Sequence, residues 1–246
     1  MPKKRQIIRV NDADALAHAA AERLIARILA NNGRIAICLT GGSSPQRLYR
    51  LLATEAYRNR IPWRRVHWFM GDERFVPPTD PRNNMAMAQK LFLDICAPPE
   101  NVHPVPVQAG TSRDAAHRYE ITLQTFYGGG RLDLSRPLFD LVLMGIGPDG
   151  HTASLFPGDV ALNERDRWVV NVPRANVEPL VPRITLTLPV LASCHEMLFE
   201  VSGAEKNVIL NRVLSDHDLP AARVHSNGET VWLVDRAALP ELPSDE

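Results

Sequence analysis

The stretch Arg34-Ile35-Ala36-Ile37-Cys38-Leu39-Thr40-Gly41-Gly42-Ser43-Ser44-Pro45-Gln46-Arg47-Leu48-Tyr49-Arg50-Leu51-Leu52 reads as three elements in succession. Residues 34–40 are short and apolar on both faces, as a strand must be when a parallel sheet is covered on both sides. Gly41 to Ser44 makes a tight turn. Pro45 then suits the first turn of a helix in which Leu48, Leu51 and Leu52 form one apolar stripe. Upstream, residues 11–32 open with cap-type residues, carry Ala, Leu and Ile at helical spacing and stop before Gly33, which suits a helix C′ position.

Downstream the alternation recurs. VHWFMGDE reads as a strand running into a loop, NMAMAQKLFLDIC and TSRDAAHRYEITLQTFY as helices, and FDLVLMG as a strand. WVVNV, RITLTL, EMLFEV and VWLVD follow as strands, with the helix AEKNVILNRVLSD between the last two. The expected fold class is α/β: a single domain over residues 1–246, with a mostly parallel, Rossmann-like sheet, helices on both faces and right-handed crossovers. The alternation of polar and apolar residues in RITLTL adds a small antiparallel or half-exposed portion.

Composition removes several function classes. There are 28 Lys+Arg against 28 Asp+Glu, so the formal net charge is zero, which excludes both a nucleic-acid binder built on a global basic excess and an acidic tail. With 45% hydrophobic and 23% charged residues the chain is of ordinary globular type. Cys38, Cys96 and Cys194 are far apart and form no CxxC pair, so neither a disulfide framework nor a thiolate metal site is expected, and a reducing cytoplasm fits. The basic cluster Lys3, Lys4, Arg5 leads into no apolar signal-peptide core, and no apolar run is long enough to span a bilayer, so no membrane partner is expected. The 20 prolines exceed the usual share of about 5%. The proline-rich residues 97–107, with Val at alternate positions, read as a packed surface connection within one domain.

Ligands of open parallel sheets bind beyond the carboxyl ends of the strands, and three loops there carry candidate chemistry. Gly41-Gly42-Ser43-Ser44 places glycines and hydroxyls before a helix N-terminus, which attracts an anion such as phosphate; a tight turn with a serine cap explains the same residues. Gly71-Asp72-Glu73-Arg74 crowds two carboxylates and a guanidinium at a strand end. Arg74 suits a bidentate phosphate contact and Asp72 or Glu73 a sugar hydroxyl, against the alternative of a solvated charge cluster.

The third loop, GIGPDGHTASLFPG over residues 145–158, contains a literal GxGxxG. It lacks the crossover helix and the acidic residue about 20 positions on that a dinucleotide site needs. What stands out instead is Asp149 two residues before His151. Of eight histidines, His151 alone sits in a glycine-rich loop at a strand's carboxyl end, whereas His18 and His117 lie on helices and His117 pairs with Glu120 at i,i+3. An imidazole titrating near neutrality is the usual general base, and a neighbouring carboxylate fixes its tautomer. No HExxH, Walker A or GxSxG pattern is present, so any hydrolysis uses activated water without a metal or a serine acyl-enzyme, which favours a reactive substrate.

LTGGSSPQRLYRLL, WFMGDERFVPP, FDLVLMGIGPDGHTASLFPG, PRITLTLPVL and VSGAEKNVIL together resemble, in order and spacing, the 6-phosphogluconolactonases of the glucosamine-6-phosphate isomerase/6-phosphogluconolactonase family. The resemblance implies one cofactor-free α/β domain that hydrolyses 6-phospho-D-glucono-1,5-lactone to 6-phosphogluconate in the oxidative pentose phosphate pathway. It implies His151 as the base, Asp149 as its orienting group, and Gly41, Gly42, Ser43, Arg74, Arg183 and Lys206 as substrate-binding residues, to which Asp72 is added from its place in the charged loop. A monomer acting on a small sugar-phosphate lactone is expected. One departure is Asn83, ahead of Asn84, where the family commonly has Ser. A related deaminase that acts on glucosamine 6-phosphate carries a glutamate where this chain has Phe156, which cannot transfer a proton. A sugar-phosphate sensor would have no need of the Asp149–His151 pair.

Overall fold

The computed structural model describes residues 5–108 and 110–241; Lys3 and Lys4 of the basic N-terminal cluster lie outside the described residues. Strands β1 (Gln6–Val10), β2 (Ile35–Leu39), β3 (Val66–Met70), β4 (Asp72–Arg74), β5 (Phe139–Met144), β6 (Val169–Val172), β7 (Arg183–Leu186), β8 (Cys194–Val201) and β9 (Glu229–Asp235) form two sheets. The larger is wholly parallel in the order β1-β9-β8-β5-β2-β3, and the smaller runs antiparallel in the order β4-β7-β6. β2 and β5 are buried at every position, which is why they are apolar without alternation apart from Asp140, whose carboxylate accepts the Ala36 N–H and Asn31 Nδ2, each at 2.8 Å.

The helix Ala13–Leu29 starts on Asp12, whose side chain accepts from the Asp14 and Ala15 N–H groups. Its stripe of Leu16, Ala20, Leu24 and Ile28 is buried against β1, β5, β8, β9 and the helix Gln46–Leu52. Each fully buried leucine or isoleucine there contributes about 1.5–3 kcal/mol. The helix Ser112–Tyr127 packs on β6 and β7, closed by a Thr111–Asp114 capping box at one end and left-handed Gly128 at the other.

Several elements differ from the sequence reading. The first helix ends at Leu29 with Ala30 in right-handed geometry, so Gly33 is no C′ residue; its N–H donates to Asn31 Oδ1 at 2.8 Å. Pro45 stands at the N-cap rather than inside the helix. Asp72-Glu73-Arg74 is a strand, not a loop. The strand in RITLTL, Arg183–Leu186, is antiparallel as expected but buried throughout, because the helix Ser112–Tyr127 covers it. QIIRV forms β1, a strand that the sequence reading does not include. Glu120 leaves His117 and turns inward, where it accepts the Trp168 N–H at 2.5 Å.

The proline-rich stretch runs beside β3, an edge of the larger sheet. Val102 bridges in parallel to Trp68, the His103 N–H donates to the Trp68 carbonyl at 2.9 Å, and the His103 ring stacks on Phe69 at 4.4 Å. Val105 and Val107 are buried, as their alternate spacing suggests. Among the described residues no helix is long and apolar enough to cross a membrane.

Candidate active site

The carboxyl ends of β2 and β5 and the near end of the smaller sheet enclose a cavity of about 160 Å³. Gly41, Gly42, Ser43, Asp72, Arg74, His151, Arg183 and Lys206 all line it; Asp149 does not, standing behind His151 instead. The cavity also takes in Asn84, Thr152 and Ala153, none of which stood out as a candidate in the sequence.

His151 is held from three sides. Its Nδ1 lies 2.5 Å from Asp149 Oδ1, which also accepts the His151 backbone N–H at 3.1 Å. Because an ionised carboxylate only accepts, Nδ1 carries a proton and donates it to Asp149, while Nε2 has no hydrogen bond among the described residues. The ring lies so close to Gly147 that a Cβ there would come within 1.9 Å of its Cε1. On another side the Phe156 ring packs at 4.7 Å between centroids. Burial acts to raise the Asp149 carboxyl, but the hydrogen bond from His151 and the neighbouring imidazole outweigh it and hold the group below its ordinary value.

The loop carrying His151 is shaped by backbone geometry that few residues adopt. Gly150 has φ +85°, and Ala153 has φ +49°, a left-handed conformation that costs a non-glycine residue about 1 kcal/mol or more. Thr152 Oγ1 donates to the Gly145 carbonyl at 2.8 Å and closes the loop onto the end of β5.

The opposite wall is built by strand alternation. On β4, Asp72 and Arg74 point to the cavity, while Glu73 points away and accepts the backbone N–H groups of Arg74, Asn84 and Met85 at 2.7–2.9 Å. Burial pushes the Glu73 carboxyl up to about 7 against those three donors. This carboxylate anchors the start of the helix Asn84–Ala88, so the choice between Asp72 and Glu73 as the cavity-facing acid is decided for Asp72.

Across the antiparallel register Asp72 faces Thr185 and Arg74 faces Arg183. Two guanidinium groups thus sit side by side, although like charges directly opposite repel. Arg74 Nη1 donates to the Arg82 carbonyl at 2.7 Å and Arg183 Nη2 to the Pro179 carbonyl at 2.9 Å, but the buried Nε of each has no partner. Burial lowers Arg183 below its ordinary value, Asp72 opposes that, and Arg74 adds to it. Lys206 reaches in from the segment after β8; burial lowers its ammonium, whose Nζ donates to the Ile146 carbonyl at 2.8 Å. Gly41 and left-handed Gly42 form the floor, and a Cβ on Gly41 would lie 2.1 Å from Asn84 Oδ1. A cationic hollow with orphaned donors can hold an anion, and it lies beside the imidazole of His151.

Asn83 caps the helix Asn84–Ala88, its Oδ1 accepting the Ala86 N–H at 2.8 Å. Asn84 Nδ2 donates to the Asp72 carbonyl at 3.1 Å, so the second asparagine braces the cavity wall.

Comparison with known proteins bears on this arrangement. Residues 11–232 match the model of the family described as glucosamine-6-phosphate isomerases/6-phosphogluconolactonase. A 6-phosphogluconolactonase of Nostoc sp. is 36% identical over 97% of this chain and 99% of its own. The structure of 6-phosphogluconolactonase from Trypanosoma cruzi superposes with a TM-score of 0.84 at 29% identity, covering 98% of both chains. A monomeric glucosamine-6-phosphate deaminase, 19% identical over 96% of this chain and 99% of its own, shares the fold with a TM-score of 0.81. The match over nearly the whole chain, to sequences and to structures alike, means that this chain belongs to the glucosamine-6-phosphate isomerase/6-phosphogluconolactonase family.

Proposed function

We propose that the protein hydrolyses 6-phospho-D-glucono-1,5-lactone to 6-phospho-D-gluconate, serving the oxidative pentose phosphate pathway from the cytoplasm as one domain spanning residues 1–246. The observation that carries this reading is the placement of the oriented base His151 in the same cavity as the paired guanidiniums Arg74 and Arg183. Relatives named 6-phosphogluconolactonase support the substrate, and three free cysteines, two of them buried, suit a reducing compartment.

In this mechanism the 6-phosphate lies between Arg74, Arg183 and Lys206, and Asp72 accepts a sugar hydroxyl. His151 Nε2 takes a proton from water as its oxygen bonds to the lactone C1. Cavity-facing N–H groups stabilise the oxyanion that forms. As the oxyanion collapses, the C1–ring oxygen bond breaks and the imidazolium returns its proton to the departing oxygen. The new carboxylic acid then ionises, releasing one proton to solvent. Asp149 keeps the Nδ1 proton in place throughout. Phe156 occupies the place of the deaminase's glutamate and supplies only packing, which disfavours amine chemistry.

The test is proton release from freshly made phosphogluconolactone, corrected for spontaneous hydrolysis, beside ammonia release from glucosamine 6-phosphate. Acceleration of the first alone is expected. Ammonia release would install the deaminase reading, and binding of sugar phosphate with neither reaction would make the protein a sensor.

A further inference from the structure

The reacting end and the charged end of the proposed substrate are held by different sheets. His151 stands on the loop that leaves β5 of the parallel sheet, whereas Arg74 and Arg183 stand on β4 and β7 of the antiparallel one. Something must set the spacing between them, because general-base attack tolerates little misplacement.

Ser154, three residues beyond His151 and fully buried, joins the two. Its hydroxyl donates to Asp72 Oδ2 at 2.6 Å, and its backbone N–H donates to Thr185 Oγ1 at 3.3 Å. Asp72 and Thr185 are register partners on β4 and β7, and each is two residues from one of the arginines. Thr185 in turn spends its hydroxyl proton on the Leu186 carbonyl at 3.1 Å, which leaves its oxygen free to accept from Ser154. The bond to Asp72 commits one carboxylate oxygen. The other, Oδ1, has no partner among the described residues, and the side chain borders the cavity.

We propose that Ser154 is a positioning residue that fixes the His151 loop at a set distance from the arginine pair, so that binding of the distal phosphate is converted into alignment of C1 with the base. Ser154 touches neither the base nor the phosphate; it acts through Asp72 and Thr185. The proposal rests on the lactonase reading and adds to it a route by which remote binding energy raises kcat rather than only lowering KM.

The test is steady-state kinetics of the full chain, with Ser154→Ala and the near-isosteric weak donor Ser154→Cys, on 6-phosphoglucono-1,5-lactone and on unphosphorylated glucono-1,5-lactone. A misplacement of about 1 Å between reacting groups can cost about 10²-fold in rate, of which one positioning hydrogen bond accounts for a part. Ser154→Ala is therefore expected to lose about tenfold in kcat on the phosphorylated lactone while KM and competitive inhibition by inorganic phosphate change by less than about threefold. Turnover of glucono-1,5-lactone should hold nearly constant, so the advantage conferred by the phosphate collapses. Ser154→Cys should fall between, and it carries the same comparison if the alanine variant does not fold. Equal loss on both substrates would mark a merely structural residue, and an unchanged ratio would also overturn the proposal. If the unaltered chain hydrolyses neither lactone, the lactonase reading itself fails, an outcome distinct from either of those.

Discussion

His151 divides its two nitrogens between tasks: Nδ1 is bound to Asp149, and Nε2 is left for chemistry. His151→Ala should lower kcat by about 10²–10⁴-fold and leave binding of 6-phosphogluconate, followed by calorimetry, within about threefold. Full activity in that variant would remove the histidine from the mechanism. The D-x-H spacing made this pair legible in the sequence, since two residues is a separation over which a turn can fold a carboxylate back onto a ring. The other constraints on the ring were not legible. Gly147 is needed for the space its missing Cβ leaves, and Phe156 for a ring that lies beside the imidazole only after the loop has turned. Ser154 gives no signal at all in sequence, because its partners Asp72 and Thr185 are 82 and 31 residues away.

Among the elements, β4 has a weight out of proportion to its three residues. Alternation sends Asp72 and Arg74 into the cavity and Glu73 into the N-terminus of the helix Asn84–Ala88, so one short strand builds a wall and anchors a helix. Such a strand is too short to show a period, and three charged residues together look solvated, which is why it reads as a loop. β2 and β5, by contrast, are legible because runs of five and four consecutive apolar residues, Ile35–Leu39 and residues 141–144, have few alternatives. The departure at Asn83 also resolves at this scale. Asparagine and serine cap helices about equally well, and the Asn83 side chain is occupied with the Ala86 N–H. Asn83→Ser should therefore keep both activity and stability, while Asn83→Ala should cost about 1 kcal/mol in urea unfolding. A loss of activity in Asn83→Ser with stability intact would show that the side chain does more than cap.

For the whole molecule, zero net charge conceals a concentrated field. Positive charge gathers in one cavity by pairing strands that carry arginine at the same register position. Arg74→Ala should raise KM for the phosphorylated lactone about tenfold or more and barely change it for glucono-1,5-lactone; equal effects on the two would indicate a structural role. Global stability carries a second titratable feature, on β8. Both oxygens of Glu200 are buried without a partner among the described residues, and burial pushes its carboxyl up to about 8. A carboxyl whose folded value exceeds its unfolded one favours the fold most when protonated. Its contribution is complete below the ordinary value of 4.5 and is lost as the pH rises through about 8. Glu200→Leu should then stabilise the protein by about 1–3 kcal/mol at pH 8 and much less at pH 5, as read by urea midpoints. A pH-independent gain would instead reflect better packing alone.

The strip of prolines beside β3 has a consequence for how these molecules behave in a crowd. An edge strand of a parallel sheet offers unpaired backbone groups to any neighbouring chain and can seed growth of the sheet from molecule to molecule. Here the edge meets Val102 and His103, and the chain then passes through Pro104 and Pro106, which have no N–H to donate. A second copy approaching that side finds no complete ladder to extend, so a proline content that looked merely high in composition also guards against aggregation.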